Sequence, residues 1–380
     1  MIKRLAALLL FLHFSLAYSQ TIKTDVLVIG GAPGGVAAAI QCARSKVKTV
    51  LVQQERMFTQ NADTVKNLSI DNNAKFVSIK KDGDRWEVVI SVNGKTEILK
   101  PRVVVDATEN GTVVKAAGLK YTGLDVVQTV AQAKEYRTSI ATGDVSVRHD
   151  ALTVNNYPPL PGYVVPIKAL IVKGADNLLF IGDLLPGANK LEDQLALGQG
   201  AGVTAAYCAF FKTTTAHLNV RAIQVELLDF KGHLLPFEDI STDPYWRAIQ
   251  QVCATGMLRG KQKMIDGKSQ FLFMPDSIVT TAEVKPVLTE IYTRAFLWFN
   301  TAKPGKEFTV GNLLSFISEL TLTEPDNLQR KIEKEWLEQY KFKSPFDMER
   351  PITRRQFAIL ANKYLNPFAR TVDLDGRVVN

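Results

Sequence analysis

The stretch Asp25–Gln54, DVLVIGGAPGGVAAAIQCARSKVKTVLVQQ, decides the fold. Val26 to Ile29 form an unbroken apolar run, the pattern of a parallel strand buried on both faces. Gly30, Gly31, Pro33, Gly34 and Gly35 crowd the turn that follows, and Val36 to Ala43 continue as a small-residue helix. Thr49 to Val52 supply a second strand. A βαβ unit of this kind brings a helix N-terminus, with its free N–H groups and positive dipole end, to a pyrophosphate. The dinucleotide G-x-G-x-x-G frame falls on Gly30, Ala32 and Gly35, so alanine stands where the middle glycine is expected. The acid expected after the second strand, for ribose hydroxyls, is Gln53 or Gln54. A glutamine carbonyl accepts a hydroxyl hydrogen bond without the charge assistance of a carboxylate.

Outward from this unit, the chain has 380 residues, 46% of them hydrophobic, enough for a large domain and a smaller one. Met1 to Ser19 reads as a secretory signal: Lys3 and Arg4, an apolar run from Leu5 to Leu16, and Ala17-Tyr18-Ser19 before Gln20. The run is short for a membrane span, and no later segment is long and apolar enough to cross one. Export to a periplasm or cell surface is the expectation. Loss of Lys3 and Arg4 would take the net charge from +8 to +6. That mild, scattered excess does not point to a nucleic-acid partner. Cys42, Cys208 and Cys253 are far apart and match no metal or disulfide spacing, so buried free thiols are expected. His149, His217 and His233 sit in no metal or catalytic motif.

Further along, Ala74–Ile79, Trp86–Val92 and Glu97–Leu99 read as antiparallel strands, with Lys81-Asp-Gly-Asp84 and Asn93-Gly94 as turns. Val103–Val105 is another buried strand, ending in Asp106-Ala107-Thr108. Asn177–Ile181 is a late strand, closed by Gly182-Asp183. Leu195-Ala-Leu-Gly-Gln-Gly-Ala-Gly202 is expected to open a helix that runs through Ala209.

Taken in order, the glycine turn, the hairpin, the D-A-T strand and the L-G-Q-G-A-G helix resemble the FAD-dependent oxidoreductases of the glutathione-reductase-like flavoprotein class. Tyr163-Val-Val-Pro-Ile-Lys-Ala-Leu170 looks like that family's Y-x-I-P-Y-R-S-L segment. The resemblance implies an α/β fold: a Rossmann-like FAD-binding domain over residues 20–215, with a central parallel sheet and a β-hairpin insertion. It implies FAD as cofactor. It also implies cofactor contacts from Gly30, Gly31, Ala32, Gly34, Gly35, Gln53, Asp106, Ala107, Thr108, Gly182, Asp183, Gly198, Gln199, Ala201 and Gly202. The family's long insertion after the second strand is replaced by about twenty polar residues. Lys168 and Asp183 stand where arginines are expected. The sequence identifies no catalytic acid, base or hydride acceptor of its own; the flavin would carry the redox chemistry. NAD(P) as sole cofactor is the weaker expectation, since no second fingerprint follows.

Residues 216–380 change to helix and loop, a small all-α module. Phe237-Glu-Asp239, Trp246 and Thr280-Thr281-Ala282-Glu283 recur loosely as Trp336, Phe346 and Thr353-Arg354-Arg355-Gln356. Thr280 with Glu283, and Thr353 with Gln356, have capping-box spacing. Two such repeats resemble S-layer homology modules, whose T-R-A-E residues contact a cell-wall polysaccharide. The resemblance implies glycan contacts from Thr280, Glu283, Thr353 and Arg354. Two functions follow as expectations: an exported FAD-dependent oxidoreductase acting on a small organic or sugar-like substrate, or a non-catalytic flavoprotein relative that binds wall or glycan through the repeats.

Overall fold

A computed structural model describes residues 21–54, 64–121, 127–128, 133–144, 162–182 and 191–379. The signal-like segment and Asp183 lie outside the described residues, as does most of the segment between Gln54 and Leu68.

The buried apolar runs form one parallel sheet. It is built from β2 (Val26–Ile29), β3 (Thr49–Val52), β4 (Leu68–Asp71), β8 (Val103–Asp106) and β12 (Leu178–Phe180), in the order β12-β8-β2-β3-β4. Every residue of β2, β3 and β8 is buried, as strands covered on both faces require. Helix α1 (Pro33–Arg44) is the crossover from β2 to β3. Between β4 and β8 the chain makes a meander of β5 (Ala74–Asp82), β6 (Arg85–Val92) and β7 (Lys95–Lys100), joined by β1 (Thr21–Lys23) at its edge. Asn93 and Gly94 both take positive φ, 49° and 80°, the two-residue hairpin turn that the sequence predicts. A smaller antiparallel sheet, with α3 (Ala133–Thr138) leading into it, sets β10 (Ser139–Asp144) and β9 (Val127–Gln128) on either side of β11 (Gly162–Pro166).

Helix α4 spans Leu191–Phe210, a full turn longer at its start than its glycines suggest. Glu192 and Asp193 in the first turn suit the positive end of the helix dipole. The glycines are therefore inside the helix, not at its opening. Their role is close packing: a Cβ on Gly198 would lie 2.1 Å from the Gly34 carbonyl oxygen, and one on Gly202 would lie 2.6 Å from that of Ala38. Cys42 Sγ donates to the Gly202 carbonyl across the same contact. All three cysteines are buried and free.

The C-terminal part is helical: α5 (Val220–Asp229), α6 (Trp246–Cys253), α7 (Thr281–Ile291), α8 (Ala295–Ala302), α9 (Val310–Thr321), α10 (Pro325–Glu338) and α11 (Arg354–Tyr364). A two-stranded ribbon, β13 (Lys261–Ile265) and β14 (Lys268–Leu272), follows α6. Among the described residues the threonine-capped helix start occurs three times here, where the sequence reading finds two. Thr280, Thr309 and Thr353 each cap a helix by accepting from an amide three residues on. The apolar residues before them close a ring of backbone hydrogen bonds: Val279 N–H to Ile352 O at 3.0 Å, Ile352 N–H to Phe308 O at 2.8 Å, and Phe308 N–H to Val279 O at 2.9 Å. The repeat at Phe308-Thr-Val-Gly-Asn312 escapes the sequence reading because it keeps neither the arginine nor the acid of the motif. What it retains is the apolar–threonine step and an asparagine that completes a capping box.

The two parts share one continuous core. Buried Arg137 joins them: its guanidinium forks onto Glu290 at 2.7 Å through both terminal nitrogens, and its Nε donates to the Thr255 carbonyl at 2.9 Å. On α5, Gln224 donates to the carbonyls of Ser139 and Arg137, tying that helix to the α/β half.

Candidate functional site: the carboxyl ends of the parallel strands

Strand β2 pairs with β3 on one side and with β8 on the other. The chain reverses direction across the sheet here, and ligands of open α/β sheets bind outside the strand ends at such a reversal. Three turns converge on it. Gly30, at φ 123°, ends β2, and a Cβ there would lie 2.4 Å from the Ala107 carbonyl oxygen. A Cβ on Gly182, just past β12, would lie 1.8 Å from the Thr108 carbonyl oxygen. The D-A-T turn is therefore clamped between two glycines. Gly35 also serves packing: its Cβ would fall 2.0 Å from the Gly30 carbonyl oxygen and 2.9 Å from the Ala107 Cβ.

What remains open is the N-terminus of α1. Ala32 takes the N-cap position in extended conformation, and no side chain caps the helix. Pro33 occupies the first turn, where its missing N–H costs nothing. Val36 N–H bonds the Ala32 carbonyl, but among the described residues nothing accepts from the amides of Gly31, Ala32, Gly34 and Gly35. Orphan donors of this kind are normally met by a side chain, water or a ligand. A serine, threonine or aspartate at position 32 would have closed the helix end. Alanine leaves it open to an anion.

A second open group lies at the end of β3. Gln53 is 2% exposed, and its Nε2 donates to Asn72 Oδ1 at 2.7 Å. Gln53 Oε1 is buried without a hydrogen-bond partner among the described residues. A buried orphan acceptor is costly unless something donates to it. The sequence reading missed Asn72. Its signal is register: Val52 pairs with Asp71, so Gln53 and Asn72 leave adjacent strand ends side by side.

The other predicted contacts have structural partners. Asp106 is fully buried and accepts four hydrogen bonds: Thr108 N–H at 3.0 Å and Oγ1 at 2.6 Å on Oδ1, Val113 N–H at 2.9 Å and Val114 N–H at 3.0 Å on Oδ2. It holds the turn that leads into α2 (Thr112–Ala116). Burial raises its pKa, and the hydrogen bonds from Thr108, Val114 and Val113 oppose that rise. Gln199 donates to Phe230 O at 3.1 Å and Gln41 Oε1 at 3.3 Å, which fixes it between α1 and α5. Ala201 is buried in the helix packing beside Gly198 and Gly202. Asp106, Gln199, Gly198, Ala201 and Gly202 thus support the site from behind rather than line it.

In the helical module the motif residues turn inward. Arg354, expected on a glycan, is fully buried. It pairs with Glu283, donates to the carbonyls of Phe273 and Arg259, and lies over the Phe273 ring. Thr280 and Thr353 spend their hydroxyls on helix amides. The one arginine and the one glutamate that survive at motif positions neutralise each other across repeats. A glycan contact from Arg354 would require breaking its pair with Glu283.

A profile of the family described as FAD dependent oxidoreductase matches residues 25–59, the β2–α1–β3 unit. The cofactor that this match implies is FAD. Among curated proteins, none is similar in sequence. Solved structures overlap only in part. The p-nitrophenol 4-monooxygenase PnpA from Pseudomonas putida DLL-E4 is 14% identical, with a TM-score of 0.21, over 23% of this chain and 40% of that one. Substrate-free RebC, the rebeccamycin biosynthetic enzyme, is 16% identical with a TM-score of 0.24, over 27% of this chain and 36% of that one. CabE, an aromatic hydroxylase from angucycline biosynthesis, is 16% identical with a TM-score of 0.23, over 28% and 35%. This chain matches well under half the length of each, and likenesses so partial carry no argument about its activity. Among the described residues no helix is long and apolar enough to cross a membrane.

Proposed function

We propose that the protein is an exported FAD-dependent oxidoreductase acting on a small organic or sugar-like substrate. The observation that carries this reading is the uncapped N-terminus of α1, whose free amides sit at the sheet's topological switch. The residues present fit the adenosine diphosphate half of FAD. The amides of Gly31, Ala32, Gly34 and Gly35 would hold the pyrophosphate, and Gln53 Oε1 would accept from a ribose hydroxyl. Bound FAD supplies the redox chemistry, accepting or giving an electron pair. The chain's own contribution is to bind and orient: the α1 dipole favours the phosphate charge, and the clamped D-A-T turn fixes the floor of the crevice.

The substrate class is tested on FAD-loaded protein without oxygen, by following the flavin absorption band while alcohols, amines and sugars are added. Bleaching by a hydroxylated substrate supports the reading. A loaded protein whose band no donor bleaches, and whose chemically reduced flavin no acceptor reoxidises, would mark the chain as a binding protein on a flavoprotein scaffold.

A further inference from the structure

The opposite end of α1 carries a surface that the flavin reading does not use. Twelve helical residues, about 18 Å at 1.5 Å each, separate Pro33 from Arg44. There the C-terminal ends of α1 and α4 meet α5 around a groove of about 610 Å³. Its apolar lining includes Tyr207, Phe210, Phe211, Ile223, Val225 and Phe230. Phe210 and Phe211 are consecutive and 59% and 61% exposed, with ring centroids 5.1 Å apart. Tyr207 packs on Phe211 at 4.7 Å, so the aromatic patch is held in place rather than dangling. Two neighbouring half-exposed phenylalanines beside an apolar groove mark an interaction surface.

The rim decides the partner. Arg44 and Lys46 line the groove and are exposed, exposed Lys212 follows Phe211 in the chain, and among the described residues no carboxylate pairs with them. Of the two acids on the rim, Asp229 is taken by Arg247 at 2.5 Å, and Glu226 accepts from Ser45 Oγ at 2.9 Å. Glu226 keeps its negative charge, so the unpaired charge is Arg44, Lys46 and Lys212 against Glu226, net cationic. A second copy seated on this face by two-fold symmetry would bring six cations and only two unpaired carboxylates into one interface. An anionic lipid surface complements both features at once: aromatic rings enter the headgroup boundary while arginine and lysine stay at the phosphates. We infer that this face docks the protein on an anionic bilayer. The crevice at the far end of α1 would then face away from the lipid. The inference is independent of FAD binding.

The test is co-sedimentation of the full mature chain with large vesicles at low salt. One set is phosphatidylcholine with one-third phosphatidylglycerol; the other is phosphatidylcholine alone. The protein should pellet with the first set and remain largely in solution with the second. Phe210→Ser/Phe211→Ser and Arg44→Glu/Lys46→Glu should each weaken binding about tenfold or more. All four positions are exposed, so both variants should fold; the phenylalanine variant should melt like the parent, and Arg44→Glu should cost only the last-turn charge of α1, a small downward shift. Protein left in the supernatant with the anionic vesicles would overturn the inference. So would variants that pellet like the parent, or equal binding to both vesicle sets. Sedimentation velocity showing a dimer that the phenylalanine variant dissolves would assign the patch to self-association. Oleate binding in the groove without vesicle binding would assign it to a free amphiphile.

Discussion

The N-terminus of α1 and the N-termini of α7, α9 and α11 are the same physical object with opposite fates. Each offers orphan amides and the positive end of a helix dipole. In the helical module the chain satisfies them itself. Thr280, Thr309 and Thr353 accept from the helix, and Asn312 and Gln356 return bonds to their caps. At α1 nothing among the described residues does: the cap is Ala32, and no acceptor meets the first amides. A helix end closed by its own side chains is a structural part. One left open at the carboxyl edge of a parallel sheet can take an anion. The motif charges follow the same division. Arg354 and Glu283 consume each other in the module, while Gln53 Oε1 has no donor among the described residues.

The largest expected effect would break the closed half. Arg354→Ala strands Glu283 and two carbonyls, and losing one partner of a buried pair costs about 3–5 kcal/mol. Urea denaturation should show the loss; a change under 1 kcal/mol would mean that the pair is not the hub of the module. Next comes Gly35→Val, which drives a branched side chain into the Gly30 carbonyl. Its melting temperature should drop sharply, so loss of flavin in that variant would report damaged packing as much as a lost contact.

Ala32→Asp is cleaner. An aspartate N-cap closes the open helix end and is worth about 0.5–2 kcal/mol of helix stability. It also sets a carboxylate where the pyrophosphate would lie. The variant should melt no lower than the parent yet bind FAD at least tenfold more weakly, about 1.4 kcal/mol. The smallest effect is Thr309→Ala, which should cost about 1 kcal/mol in denaturation. Its importance is for the third repeat: no change would mean that this cap is not equivalent to the other two.

Much of this division is legible in the sequence. The buried runs at Val26–Ile29 and Val103–Val105, the hairpin at Asn93-Gly94 and the capped helix at Thr353 all follow from local pattern, because each depends on neighbours in the chain. What the sequence hides depends on contacts across it. Gly198 and Gly202 read as a helix opening, but their reason is the backbone of α1, more than 150 residues earlier. Arg354 reads as an exposed ligand contact, and only the three-repeat ring places Glu283 beside it. Asn72 acquires meaning through the pairing of β3 with β4. Asp183, which the family resemblance sets on the flavin side, lies outside the described residues.

Whether the open end of α1 holds FAD can be measured directly. The direct measurement is the flavin content of the chain purified from Gln20 onward, beside its Ala32→Asp variant. Visible spectra are taken, and the small molecules released on denaturation are chromatographed. The account predicts a near-stoichiometric FAD peak from the parent, as purified or after incubation with added FAD, and little or none from an equally stable variant. A colourless parent that takes up no added FAD, or a variant that retains the cofactor as well as the parent does, would contradict it.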